Sequence, residues 1–287
     1  IYGPGVADDK GGITVALQGL FEFFKHGEPN FNIRIVSSSC EEIGSQGFLE
    51  LFEFFGKSSD YVLGFEPSLS NGSIINSRHG NRWYDVKIIG QEAHAGRCQG
   101  EEIDAGHELA LKIIRLKELS KEIQGSKLNV SAITAGSHKY NVVCGHSCMK
   151  LDTRFETREV RDDLHFRMTE IFESSYLKNN KNEKSYTQFD IVDDCPPLQK
   201  CLKSKKLENF ILKEIRKQEG VNVSAEHSGG ASDVNHMCHE FNICLDGLGP
   251  VGGNLHTVNE YVVMNSLETR VQVLAKTLSH LSELRGL

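Results

Sequence analysis

A chain of 287 residues with 32 Lys and Arg against 39 Asp and Glu carries a formal charge of −7, which argues against an extended basic surface for nucleic acid. Hydrophobic residues at 39% and charged residues at 25% are globular values, and 27 Gly with 6 Pro are too few for a fibrous or low-complexity chain. No run approaches the ~18 apolar residues of a membrane span, since even Gly11 to Phe21 is broken by Thr14 and Gln18.

Eight cysteines without a C-x-x-C pair or the dense spacing of a disulfide scaffold read as reduced thiols, the pattern of a cytoplasmic protein. The chain opens on Ile1-Tyr2-Gly3, with neither Met nor a leader pattern, so an upstream segment is expected.

Apolar residues at Val15, Leu17, Leu20, Phe21 and Phe24 predict a helix opening just after Asp8-Asp9-Lys10-Gly11-Gly12. A short buried strand is expected over 32–36, a helix over 45–55 and a second buried strand over 61–65, ended by Glu66-Pro67. Helices alternating with short apolar strands argue for an α/β layer on a mainly parallel sheet. The pattern changes at Asn71-Gly72. From 73 to 90, Tyr84, Val86 and Ile88 alternate with Trp83, Asp85, Lys87 and Ile89, as in an antiparallel strand with one solvated face. A helix over 103–123, strands over 128–134 and 147–155, a helix over 160–176 and a strand over 188–192 complete a β-α-β-β-α-β order, that of a ferredoxin-like module. After Pro196-Pro197 the α/β style returns with a helix over 203–218, strands over 221–225 and 242–246, and a final helix over 263–284. The expected architecture is an α/β domain, residues 1–76 and 189–287, interrupted by an α+β domain over 77–188.

Acidic groups stand at element ends: Asp8-Asp9 before a helix, Glu41-Glu42 after an apolar run, Glu66 at the end of a strand. In an open parallel sheet the carboxyl ends of strands converge on one rim, where ligands bind. One acidic pair alone is best read as a solvated loop; several carboxylates at one rim repel one another unless a divalent cation neutralises them. Adjacent residues in extended backbone face opposite sides, so Glu41 and Glu42 are expected to do different work. His256, in a glycine-rich loop ahead of the last helix, is a weak ligand candidate by itself.

The motifs Gly-Pro-Gly-Val-Ala-Asp-Asp-Lys-Gly-Gly at 3–12, Cys-Glu-Glu-Ile-Gly-Ser at 40–45, Asp-Tyr-Val-Leu-Gly-Phe-Glu-Pro at 60–67, Ala-His-Ala-Gly at 93–96 and Gly-Gly-Ala-Ser-Asp at 229–233 stand in family-like order. Across essentially the whole chain they resemble the bacterial glutamate carboxypeptidase (carboxypeptidase G type) branch of the aminoacylase-like di-zinc metallopeptidases. The resemblance implies two zinc ions per subunit, with Asp8 bridging them, Glu42 and His256 completing one site, Glu66 binding the other, and Glu41 as general base on the attacking water. It further implies a lid that mediates homodimerisation, with His94 reaching the partner subunit's active site and with Asn141 and Arg154 holding a substrate carboxylate. By the same resemblance the second zinc site takes a His from an upstream His-x-Asp motif that lies outside these 287 residues, so this chain by itself is expected to be mononuclear at best and inactive. Gln99, Glu102 and Asp104 replace the family's usual residues after His94.

The expected reaction is zinc-dependent hydrolysis of an amide bond next to a free carboxylate. The alternatives are an N-acyl amino acid deacylase or desuccinylase of the same family, and an inactive zinc-stabilised dimeric binding protein. His236 and His239 lack the His-Glu-x-x-His order, Gly229-Gly230 lacks the Lys-Ser/Thr of a phosphate loop, and Cys40 has no base placed beside it; all three read as structural.

Overall fold

The computed structural model describes residues 1–137 and 139–285, in two compact units: Ile1–Arg78 with the chain from Leu198 onward, and His79–Pro197.

In the first unit, α1 (Lys10–Phe24) opens where Asp9 caps it, its carboxylate accepting from the Gly12 N–H at 3.2 Å. Phe23 on its inner face packs on Leu274, Ala275 and Leu278 of the final helix. Residues 32–39 run without a ladder partner, so the expected strand over 32–36 does not form. Phe31 and Ile33 are held by core packing against the helices, while Ile35 and Val36 stay exposed. An apolar run makes a strand only where an edge can take its backbone groups, and none among the described residues does so.

The helix α2 (Leu49–Lys57) starts four residues later than the expected boundary, because Glu41–Ile43 forms a separate 3₁₀ turn closed by Gly44 in the left-handed region. Next come β1 (Tyr61–Leu63) and β2 (Ile74–Arg78).

The strand expected as one piece over 73–90 divides at His79 between β2 and β3 (Gly80–Ile89), because the two halves take different partners. In the second unit β3, α3 (Ala105–Glu122), β4 (Ser126–Ala135), β5 (His146–Phe155), α4 (Arg158–Glu173) and β6 (Tyr186–Cys195) form one antiparallel sheet in the order β4-β5-β3-β6, with two helices. Tyr84, Val86 and Ile88 of β3 bury against Leu109 and Leu116 of α3 and Leu164, Met168 and Phe172 of α4. Fully buried Lys112 donates to the carbonyls of Ile171 and Phe172 at 2.8 and 3.1 Å, which satisfies the end of α4, and it pairs with buried Glu108 at 3.3 Å. Because β6 is a continuous ten-residue partner of β3, the unit ends at Pro197 and not at 188; the first crossing falls at 78/79 and not at 76/77.

The first unit resumes with α5 (Lys205–Glu219), β7 (Ala225–Ser228), the short α6 (Asp233–Met237), β8 (Ile243–Leu245), β9 (Gly252–Gly253), β10 (Tyr261–Val262) and α7 (Met264–Arg285). β7 begins only at Ala225, the last residue of the expected 221–225, since its register is set by parallel pairing with β2. β1 pairs in parallel with β8. Ile74, Leu245, Ile211, Ile215 and Val273 form the core between strands and helices. Among the described residues no helix is long and apolar enough to cross a membrane.

Candidate metal centre

The chain's two ends build the centre together. The turn before α1 carries Asp8, the 3₁₀ turn carries Glu41 and Glu42, and the loop between β9 and β10 carries His256. His256 Nε2 stands 3.0 Å from Asp8 Oδ2 and 3.3 Å from Glu42 Oε1. One donor atom from each of Asp8, Glu42 and His256 lies within 4.8 Å of the others, close enough to ligate one cation. Two carboxylates and an imidazole are a donor set suited to zinc.

Glu41 and Glu42 lie in a 3₁₀ turn and not in the extended backbone expected, so successive side chains are turned by about a third of a revolution. Glu42 joins the ligand group, and Glu41 lies outside it, within reach of the charge of Asp233 at the start of α6. Burial pushes the Glu41 carboxyl up to about 7, reinforced by Asp233, Glu42 and Asp8, with the Arg78 guanidinium opposing. Asp233 accepts from Ser38 and Ser45, both at 2.5 Å, which ties α6 to the segment around Glu41.

Asp9, adjoining Asp8 through a cis peptide, is pushed up to about 8, first by burial and then by Asp8, Asp246 and Glu41. Burial also raises Glu66 well above the carboxylate range, with Asp246, Asp8 and Asp9 adding and Arg78 opposing. Glu66 therefore feels the charges of Asp8 and Asp9, but it stands outside the three-residue ligand group. Gly12 makes this closeness possible: a Cβ there would lie 2.0 Å from the carbonyl oxygen of Phe65. The His256 imidazole is raised by its hydrogen bond to Asp8, against burial and with help from the charges of Glu42 and Glu41.

The raised carboxyls set a sign for pH dependence. Between roughly pH 4 and pH 8 the folded, metal-free protein binds more protons at Asp9, Glu41 and Glu66 than the unfolded chain, so its stability falls as pH rises. Raised His256 acts in the same direction, its contribution being full below its unfolded pKa and lost above the folded one. Melting of chelator-treated protein should therefore shift to lower temperature between pH 5 and pH 8. Added zinc should flatten or reverse the trend, since ligation favours the deprotonated groups.

Three residues that the sequence reading did not single out support the centre. Arg78 Nε donates to fully buried Asp246 at 2.8 Å, and its Nη1 to the Gly230 carbonyl at 2.9 Å. Asp246 also accepts from Ser232 Oγ at 2.6 Å and the Gly247 N–H at 2.7 Å. Glu260 is buried, and its carboxylate accepts from the N–H groups of Gly5, Ala7 and Asp8 at 2.6, 2.8 and 2.9 Å. Burial alone would raise Glu260, but those donors together hold it below the usual carboxylate range.

In the second unit, Asn141 O accepts from Ala95 N at 2.9 Å, and His94 is bridged to Val142, so His94 and Asn141 are neighbours on one exposed loop pair. The Gly96 N–H donates to His94 Nδ1 at 3.2 Å, which makes Nε2 the protonated nitrogen of the neutral ring. Arg154 is not with them. It lies near the far end of β5, eight residues or roughly 26 Å from His146, at the ~3.3 Å rise of a strand, and its Nε bonds Asp152 at 3.0 Å.

The structure is that of an α/β protein in which two carboxylates and an imidazole converge closely enough to share one cation. The sequence model of peptidase family M20/M25/M40 matches residues 1–280, and the chain belongs to that family. Carboxypeptidase G2 of Pseudomonas sp. (strain RS-16) is 25% identical over 283 residues, covering 98% of this chain and 67% of that one. A succinyl-diaminopimelate desuccinylase of Vesicomyosocius okutanii is 25% identical over 284 residues, covering 93% and 72%. A tripeptidase from Staphylococcus aureus superposes with TM-score 0.78 at 22% identity, covering 97% of this chain and 72% of that one. Aminopeptidase PepT from Bacillus cereus gives 0.74 at 18% identity, covering 95% and 71%. These likenesses agree with the resemblance carried by the five sequence motifs.

Proposed function

We propose that the protein hydrolyses an amide bond next to a free carboxylate, as a carboxypeptidase G-like metallopeptidase. The observation that carries the reading is the convergence of Asp8, Glu42 and His256 on one point, with Glu41 beside them. Asp8, Glu42 and His256 would hold zinc, and Glu66 would contribute to holding a second ion. Divalent ions at such a centre supply Lewis acidity and an acidified water. Glu41 accepts the proton of the attacking water and returns it to the leaving amine.

His94 stabilises the developing oxyanion through Nε2–H in the partner's site. Asn141 acts from the same loop pair as His94. Arg154, at the other end of its sheet, grips a substrate carboxylate as a bidentate fork. A single substrate is then handled by two subunits of a homodimer whose inserted domain serves as lid. Mixing inactive His94→Ala with inactive Glu41→Gln protein should restore about a quarter of wild-type activity, because half the dimers are mixed and each mixed dimer has one intact site. Failure of mixing to restore any turnover would remove the role in trans.

A second reading, desuccinylation of an N-acyl amino acid, is favoured by relatives of that name at the same 25% identity as the carboxypeptidase. Folyl- and peptidyl-glutamates, N-succinyl amino acids and tripeptides, offered side by side, separate the readings. Preference for a C-terminal glutamate supports the first, and preference for the succinyl substrate replaces it.

A further inference from the structure

Asp8 and His256 are separated by 248 residues, and the side chain that fixes one against the other is Glu260. It sits four residues beyond His256, at the end of the same loop. Its Oε2 accepts from Gly5 N, and its Oε1 accepts from both Ala7 N and Asp8 N, so the turn from Gly5 to Asp8 is wrapped around a single buried carboxylate. Converging backbone N–H groups of this kind form an anion-holding nest, here filled by the protein's own side chain. Gly5, at φ +72, supplies the left-handed residue that curls the turn. The main chain closes the same junction: Gly3 N donates to Glu260 O at 3.0 Å and Val262 N to Ile1 O at 2.9 Å.

We propose that Glu260 is a positioning residue, whose carboxylate sets where the Asp8 side chain stands relative to His256 and thereby tunes the affinity of the centre for its cation. The proposal rests on the metal-centre reading above.

Glu260→Gln tests it. Gln keeps the shape and one acceptor oxygen, but its NH₂ meets one of the three N–H donors instead of accepting from it. Zinc dissociation constants would be read by chelator competition, together with the melting temperature of the metal-free protein. Outer-shell changes weaken metals by about 10–100-fold, and that loss is expected for Glu260→Gln, with Gly5→Ala moving in the same direction. In an Asp8→Asn background the Glu260 change should add less than about 3-fold, since the residue acts through Asp8. Glu219→Gln, which breaks the buried pair with Arg270 elsewhere in the unit, should lower the melting temperature without moving the zinc constant.

Zinc binding by Glu260→Gln equal to wild type, or an equal loss in both backgrounds, overturns the proposal. Wild-type protein that binds no zinc overturns the metal-centre reading itself, and this proposal with it.

Discussion

Glu41→Gln is expected to lower turnover by about 10²–10⁴-fold while leaving the zinc content unchanged. The substitution keeps size and shape but removes the only function the mechanism asks of this side chain, which is to take and return a proton. Glu41 is outside the group of three donors that can share a cation, so its loss should not empty the site. In the metal-free protein burial and the flanking charges of Asp233, Glu42 and Asp8 hold its carboxyl near 7; the amide has no proton equilibrium in this range at all. Steady-state kinetics with metal analysis on the same samples reads both quantities. Loss of zinc together with turnover would make Glu41 a ligand, and unchanged turnover would end its role as base and favour a protein that binds without cleaving.

Asp8→Ala is expected to have the other large effect, through the metal. It removes one of the two carboxylates and leaves His256 without its 3.0 Å partner. Losing an outer-shell partner typically costs about 10–100-fold in metal affinity, and losing a ligand should cost at least as much. At low-micromolar free zinc the variant should be largely metal-free and inactive. A cation that binds only the folded state stabilises it by mass action, so zinc should raise the melting temperature of the wild type but not of Asp8→Ala. His256→Ala should follow the same pattern. An equal thermal shift in wild type and Asp8→Ala would place the ion elsewhere.

Much of the architecture is legible in the sequence because it is local. The alternation of Tyr84, Val86 and Ile88 with Asp85, Lys87 and Ile89 is the period of a half-buried strand, and the structure buries the first three. The helices appear within a few residues of their expected bounds for the same reason. What fails is what depends on a distant partner. Residues 32–36 have the composition of a strand but no edge to pair with, and the ends of β2, β3 and β6 are set by pairing across 70 or more residues, which moved both domain boundaries.

The candidate site divides in the same way. Asp8, Glu41, Glu42 and His256 stand in short motifs at element ends and could be singled out from their residue types and the family resemblance. Arg78, Asp246 and Glu260 make their contacts across 168 and 252 residues, between a charged side chain and a partner with no periodic relation to it. The family resemblance gave Asn141 and Arg154 one shared task, yet the ten residues of extended β5 carry them to different ends of the sheet.

The measurement that bears most directly on the account is anomalous diffraction at the zinc edge from crystals of the zinc-loaded protein. A peak bonded by Asp8, Glu42 and His256, and missing from crystals of Asp8→Ala, is the expected result. Anomalous density away from all three side chains, or a peak that survives unchanged in Asp8→Ala, would contradict it.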